Sequence, residues 1–443
     1  MNPLMTLLLV AIWAVCISGG AMASGDFGIP LNHKKPITPD SLIKVKIFPH
    51  TVNYPPHGKD VDTRSVTLRS SKTCRQYKGD PGRAARIGKE QKRGKIFQFN
   101  YNQMVSAVYL RCSGRVTVDR AQLTDYSYLG SFYIRKVDGH IEVVNLVSLK
   151  QYLRGVVPSE VYSHWPAETL KTQAVAARSY AAFHLANARR MKRRYFDVDD
   201  TVQYQAYTGV SHITRKTDRA VAETKGVILT YNDRIIQAYY HADSGGKTEG
   251  SGAVWGKDIP YLQAKNETIT GEALQKEWSV KLSLKNLQAK LRNRRLIRSR
   301  QRLKSLFVPA VGRSDSGRVK LVTLDLGGSY KNISIREFRK LLGKGVLPST
   351  LFTFEKKGRS LMLKGLGSGH GVGMSQRGAA QLAQEKGWSH SEILSFYYTG
   401  ATICQLGTDP HISVESCYKY QKANRSRIFT DHVDPSTKKR PNL

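Results

Sequence analysis

Tyr152-Leu153-Arg154-Gly155-Val156-Val157-Pro158-Ser159-Glu160, followed by the run from Pro166 to Arg190, is the stretch on which the reading of this chain turns. Pro166 suits the first turn of a helix, and Glu168 lies near the positive end of its dipole. No breaker interrupts the run to Arg190, which predicts a helix on the order of 35 Å long. Leu170, Ala174, Ala177, Ala181 and Leu185 recur at helical spacing and make a face of mostly small side chains. Such a face lets another element approach closely, so this helix is expected to be buried in the core. Upstream, a short helical turn around residues 148–153 is expected to end at Gly155. Val156-Val157-Pro158 then forms an apolar corner, with Glu160 on the loop beyond it.

A carboxyl group set among Val156, Val157, Pro158, Val161, Tyr162 and Trp165 is partly desolvated. Its pKa rises, which is the profile of a general acid. The plainer reading is an ordinary loop glutamate, and local composition alone favours it. Arg178, in the middle of the long helix, is open to two readings: a snorkelling surface arginine or a residue of a site.

Outward from this centre the chain of 443 residues has length for two or three domains. The fold class expected is α+β: mixed strands with a long buried helix in the core and a smaller inserted α+β subdomain. Residues 1–23 read as a secretory signal, with an apolar run from Leu4 to Ile17 and Ala21-Met22-Ala23 before Ser24. No other run is long enough to span a bilayer. The mature chain is therefore expected to be exported, periplasmic or extracellular. Residues 24–120 form a β-rich region: Ile43-Lys44-Val45-Lys46-Ile47 alternates with period two, and Val105 to Val118 carries several β-branched residues. Lys78 to Lys95 between them reads as a basic loop.

The core is expected in two parts, 121–277 and 355–403. Tyr128 to Val147 reads as a hairpin turning at Asp138-Gly139, and Val227 to Tyr240 returns to strands with a turn at Asn232-Asp233. An inserted basic α+β subdomain is assigned to 278–354. Leu284, Leu287 and Leu291 mark a helix continuing through Lys304, and Arg292, Arg294, Arg295, Arg298, Arg300 and Arg302 occur on it with no acidic residue between. That face is either simply solvated or in contact with a polyanion. A strand pair (residues 319–326 and 332–335) and a helix near 336–342 follow. Residues 404–443 read as a basic tail.

Removal of the signal leaves Cys74, Cys112, Cys404 and Cys417, an even set that reads as disulfides in an exported chain. Their spacing favours Cys74–Cys112 and Cys404–Cys417. No Cys-x-x-Cys or Cys/His ligand spacing appears, so no metal and no cofactor are expected. The formal net charge of +36 draws the chain to polyanions. Export argues against nucleic acid and leaves anionic lipid, lipopolysaccharide or an acidic wall polymer.

Gly365 to Gln376 has too many glycines for a regular element. No Gly-Lys-Ser/Thr follows and no dinucleotide-binding unit surrounds it. It carries His370 and Gln376 and leads into an Ala-rich helix at 377–386. At these residues the chain resembles the sporulation stage II protein D, or amidase-enhancer, family. The resemblance rests on Tyr152 to Glu160 continuing through Leu170 to Tyr180, and on Gly367 to Gly378 with its Gly-His-Gly-Val-Gly-Met-Ser-Gln core. Ile393-Leu394, Tyr397-Tyr398-Thr399-Gly400, His241 to Gly246 and Ser316-Gly317-Arg318-Val319 fit the same pattern.

What the resemblance implies is lytic cleavage of peptidoglycan glycan strands stripped of their stem peptides, with Glu160 at the position of the family's catalytic glutamate. Arg178, His370 and Gln376 are then candidates to position sugar oxygens or stabilise charge, with His241 and Ser244 beside them. Placed too close, Arg178 would hold Glu160 ionised and oppose the acid role. Other members are named as amidase modifiers, so a non-catalytic wall-binding enhancer with an amidase as partner is the alternative. The cysteine and histidine zinc site of a clostridial relative has no counterpart here, since no cysteine lies between Cys112 and Cys404.

Overall fold

The computed structural model describes residues 29–30, 37–48, 63–79, 87–119, 126–191, 195–267, 277–343 and 345–406. The expected signal segment, nearly all of the basic tail and Cys417 lie outside these residues. The architecture is α+β. Its largest sheet has nine strands. Leu42–Phe48 pairs antiparallel with His140–Ser148, which pairs in turn with Ser131–Val137. The hairpin between the last two turns at Asp138 and Gly139, with φ of 23° and 84°, the positive values such a tight turn requires. Val108–Arg111 and Ser65–Gly79 continue the sheet. Cys74 and Cys112 are disulfide-bonded, a crosslink worth about 3–4 kcal/mol on loop-entropy grounds.

The described parts of the stretch read as a basic loop, residues 78–79 and 87–95, belong instead to two long paired strands, Ser65–Gly79 and Ile87–Asn100. Ile87–Asn100 lies at the margin of the nine-stranded sheet against Ser65–Gly79, where backbone pairing leaves Lys92, Arg93 and Lys95 exposed and few apolar residues are needed. Arg93 pairs there with Glu90.

Helix α1 (Leu149–Glu160) leaves the strand His140–Ser148 directly. The Ser148 hydroxyl accepts from the Gln151 N–H at 3.3 Å and caps it. The expected break at Gly155 does not occur, and Glu160 is the last helical residue rather than a loop glutamate. Pro158 forgoes one backbone hydrogen bond, but Val156, Val157 and Pro158 are all buried. The Ser159 hydroxyl also donates to the Gly155 carbonyl at 2.7 Å. Burial of this apolar trio outweighs a proline penalty of about 3 kcal/mol. Gly155 is a contact point: a Cβ there would come within 2.3 Å of the Gly209 carbonyl oxygen.

Helix α2 (Ala167–Arg190) is the expected long helix, 24 residues with Pro166 immediately before it. It is buried around most of its circumference because α1, α3 (Arg215–Glu223) and the strand Val227–Tyr231 pack on it. The remaining α-helices among the described residues are α4 (Ser251–Trp255), α5 (Leu284–Asn293), α6 (Ile335–Leu342), α7 (Gln376–Lys386) and α8 (His390–Tyr397). Of these, α7 and α8 also pack on α2. Asn232 and Asp233, at φ of 47° and 56°, turn Val227–Tyr231 into Arg234–Ile235.

A second hydrophobic cluster, including Leu287, Leu291, Val322, Leu324, Phe338, Leu361 and Leu363, is built by two three-stranded sheets with α5 and α6. The basic run is not one helical face. Helix α5 ends at Asn293, Arg295 takes φ 54°, and Ile297 returns to the cluster at 6% exposure. The apolar Leu296-Ile297 pair turns the chain inward, leaving Arg294, Arg295, Arg298, Arg300 and Arg302 exposed on an irregular segment. No helix among the described residues is long and apolar enough to cross a membrane.

Candidate functional site

Three distant pieces of chain meet at Glu160: the end of α1, the loop carrying Gln205 and Ala206, and the start of α7. A short parallel pairing of Tyr240–His241 with Met374–Ser375 sets the last of these in place. Because side chains alternate along a strand, Tyr240 turns toward Glu160 while His241 turns toward the glycine-rich loop. One carboxyl oxygen of Glu160, Oε1, accepts the Ala206 N–H at 2.7 Å, and Gln376 Nε2 reaches Oε2 at 3.5 Å. Gln376 Nε2 also donates to Gln173 Oε1 at 3.3 Å. Tyr240 hydrogen-bonds to Glu160, and its hydroxyl accepts from Gln205 Nε2 at 2.9 Å.

Glu160 is 6% exposed. Burial raises its pKa from 4.5 to about 7, against the opposing hydrogen bonds from Ala206, Gln376 and Tyr240. Its place at the negative end of α1 disfavours charge in the same direction. The carboxyl group can therefore hold a proton near neutral pH and also exist as the carboxylate. Asp199 and Asp200 are nearby in the fold: together with Glu160 they push up the pKa of buried Tyr152 after burial itself. Glu168, by contrast, belongs to the helix start. Burial would raise its pKa, but hydrogen bonds from His390 and Lys171 bring it down to about 2.

Beyond Glu160 the chain enters a partly exposed aromatic cluster. Tyr162 stacks on His164 at 5.4 Å between centroids and meets Trp165 edge-on at 5.3 Å.

His241, Ser244 and His370 form a second group behind the glycine-rich loop. His241 is fully buried and its Nδ1 lies 3.2 Å from the Val372 carbonyl. The His241 and His370 rings are 5.4 Å apart, with Trp255 beside His370. Burial lowers the pKa of both, His370 to about 3, so both imidazoles are neutral. The Ser244 hydroxyl donates to Glu267, which also accepts from the Tyr397 hydroxyl at 2.7 Å. Arg318, 2% exposed, donates to the carbonyls of Ser244 at 2.5 Å and Lys247 at 2.7 Å. These contacts brace the loop that delivers Gln376.

Of the expected residues, Glu160 and Gln376 come together. Arg178 is neither a snorkelling arginine nor bonded to that pair. At 2% exposure it donates to the Val227 carbonyl at 2.9 Å and the Val221 carbonyl at 3.2 Å. Its guanidinium sews α2 to the end of α3 and the next strand. Tyr240, Gln205, Ala206 and Gln173 escaped the sequence reading as site residues.

Among the described residues no group of three or more His, Cys, Asp or Glu side chains is arranged to hold a metal ion. A cavity of about 420 Å³ opens elsewhere, lined by Glu249, Asp258, Ser314 and Lys320 among others. Glu267 is a second buried carboxyl with a raised pKa, driven by burial against hydrogen bonds from Ser244 and Tyr397. We assign the chemistry to Glu160 rather than to that cavity, because the Glu160 carboxyl is raised to about 7.

A family model described as Stage II sporulation protein matches residues 137–231, and a model of a domain of unknown function matches residues 254–373. The chain is 35% identical over 291 residues to an uncharacterized protein of Brachyspira hyodysenteriae, an alignment covering 65% of this chain and 75% of that protein. It is 31% identical over 281 residues to Stage II sporulation protein D of Bacillus amyloliquefaciens, covering 59% of this chain and 76% of that protein. With the Amidase enhancer of Bacillus subtilis it shares 30% identity over 356 residues, 70% of this chain and 48% of the relative. The chain thus belongs to the stage II sporulation protein D family.

Proposed function

We propose that this protein is an exported peptidoglycan lytic transglycosylase with Glu160 as general acid and then base. The observation that carries the reading is the buried Glu160 carboxyl, its pKa raised to about 7 and its position fixed by the Ala206 N–H. Protonated Glu160 gives its proton to the glycosidic oxygen as the bond from the muramic acid C1 to that oxygen breaks. The resulting carboxylate then takes the proton of the C6 hydroxyl as O6 closes on C1, forming the 1,6-anhydro ring. The nucleophile belongs to the substrate, so the attack is intramolecular, and a second catalytic carboxylate is not required. Gln376 orients Glu160, while His241, Ser244 and His370 hold the loop beneath it. The cluster of Tyr162, His164 and Trp165 offers ring faces for a sugar. The net charge of +36 suits glycan strands, which keep a lactyl carboxylate on each muramic acid after peptide removal.

Digestion of purified sacculi, with and without stem peptides, tests the reading. Anhydro-muramic products that vanish in Glu160→Gln support it, and reducing-end products instead indicate a hydrolase. The relative named Amidase enhancer favours one second reading, a wall-binding protein that stimulates an amidase. Glycan or peptide release only when an amidase is added would select it.

A further inference from the structure

The sheet made by Ser305–Phe307, Leu321–Asp325 and Tyr330–Ser334 turns one face inward. Leu306, Val322, Leu324 and Ile333 on that face join the second hydrophobic cluster. On the other face Phe307 and Tyr330, from the two outer strands, meet over the central one at 5.8 Å between centroids, edge to face. Phe307 is 41% exposed and Tyr330 72%. Large aromatic side chains left this open, in contact with each other and above a polar floor, mark a surface that something amphipathic covers.

The floor is already satisfied. The Thr323 hydroxyl donates to Asn332 Oδ1 at 2.7 Å, and the Ser305 hydroxyl donates to Asp325 Oδ2 at 3.2 Å. The Gly327 N–H meets Asp325 Oδ1 at 2.9 Å, so the one acidic group here is held by local donors. Lys304 runs beside the turn before Tyr330: a Cβ on Gly327 would lie 3.1 Å from its Cε. Arg300 and Arg302, both exposed, precede it.

We propose that this face is a second docking surface for anionic glycan strands, separate from the Glu160 site. A saccharide ring presents one face of C–H groups to an aromatic ring and its hydroxyls to a polar surround, and its carboxylates suit Lys304, Arg300 and Arg302. A second copy of the chain is a poorer fit, because two aromatic side chains fall far short of the ~1,000 Å² a stable protein interface needs. The choice of glycan rests on the function proposed above, while the surface itself does not.

The test measures binding of peptide-stripped sacculi by Glu160→Gln protein, in which no cleavage can confuse the result, against the same protein carrying Phe307→Ser and Tyr330→Ser. The expected outcome is about tenfold weaker binding with unchanged thermal unfolding and unchanged sedimentation. Adding Lys304→Gln should weaken binding further, and more so at low salt. Unchanged binding overturns the proposal. So does a change in oligomeric state with the substitutions, which would make the face a self-interface. Cleavage by the wild-type protein is assayed separately on the same sacculi. If wild type cleaves nothing but the aromatic substitutions still weaken binding about tenfold, the docking surface stands and the enzymatic reading alone falls.

Discussion

Gln376 Nε2 lies 3.5 Å from Glu160 Oε2 across 216 residues of chain. The same amide group donates to Gln173, leaving Gln376 Oε1 and Gln173 Nε2 buried without partners. As drawn, the amides complement the carboxylate. Turned over, they would instead offer Gln376 Oε1 to a protonated Glu160 and Gln173 Nε2 to Gln376. Amide orientation is assigned from the hydrogen-bond pattern, and here each orientation matches one protonation state of the acid. The site can therefore hold a proton and release it without changing its number of hydrogen bonds.

That pairing leads to a prediction about stability that is independent of any reaction. Glu160 binds its proton more tightly folded than unfolded, its pKa rising from 4.5 to about 7. Its contribution is therefore fullest below about pH 4.5 and is lost as pH rises through 7. The gap corresponds to about 3 kcal/mol. Glu160→Gln, which cannot ionise, should gain stability relative to wild type between pH 5 and pH 8. Urea unfolding at the two pH values checks this. A difference between the proteins that stays constant with pH would contradict the assigned burial.

On the catalytic side, the same carboxyl group must be protonated to act as an acid. Activity on sacculi should fall as pH rises above about 7 and should drop by about 10²–10⁴-fold in Glu160→Gln. Turnover of stripped glycan across that range is the measurement. A flat profile would assign the proton to another group.

Arg178 is expected to matter for folding rather than for the chemistry. Arg178→Met strips donors from the carbonyls of Val221 and Val227, at about 1–3 kcal/mol for each buried acceptor left bare. A lower urea midpoint should accompany an unchanged pH profile for the activity that remains. A shifted profile would return Arg178 to the catalytic group.

How much of this was legible in the sequence follows from the range of the interactions. Helix α2 declared itself through unbroken small-residue periodicity, and the hairpins at Asp138-Gly139 and Asn232-Asp233 through turn chemistry, all local signals. Glu160 was marked by its apolar neighbours and Gln376 by the glycine-rich loop that carries it, but only the family resemblance put the two in one site. Ala206 and Tyr240 carried no local mark, because their part in the site depends on a crossing of chain 46 residues away in one case and a two-residue strand pairing in the other. The helix through Pro158 and the end of α5 were missed for one reason: burial of neighbouring apolar side chains, at Val156-Val157 and at Leu296-Ile297, overrode the local propensity.

The glycine-rich loop supplies a test of how Gln376 is held. Gly373 has φ 71°, and a Cβ there would come within 2.2 Å of the Tyr239 carbonyl oxygen. Gly373→Ala should therefore cost about 2–5 kcal/mol and spread the pairing of Met374–Ser375 with Tyr240–His241. Activity per folded molecule should fall too, since Gln376 and Tyr240 lose their registration on Glu160. Thermal unfolding and sacculus digestion on the same sample separate the two effects. Lost stability with full residual activity would show that the loop does not position the site.

The exposed arginines after α5 invite a prediction about charge. Arg294, Arg298, Arg300 and Arg302 lie in water, and isolated surface charges of this kind contribute little to stability. Their joint replacement by glutamine should leave urea unfolding nearly unchanged. It should also flatten the salt dependence of sacculus binding between about 50 and about 300 mM, because Coulombic attraction at these distances is what added salt screens. Arg292, half-buried with its guanidinium on the Gln301 carbonyl at 3.0 Å, is left out of the set since its loss would disturb the fold. A salt dependence as steep as that of wild type would assign the polyanion contact to another surface, and the run would then be solvated chain with no part in binding.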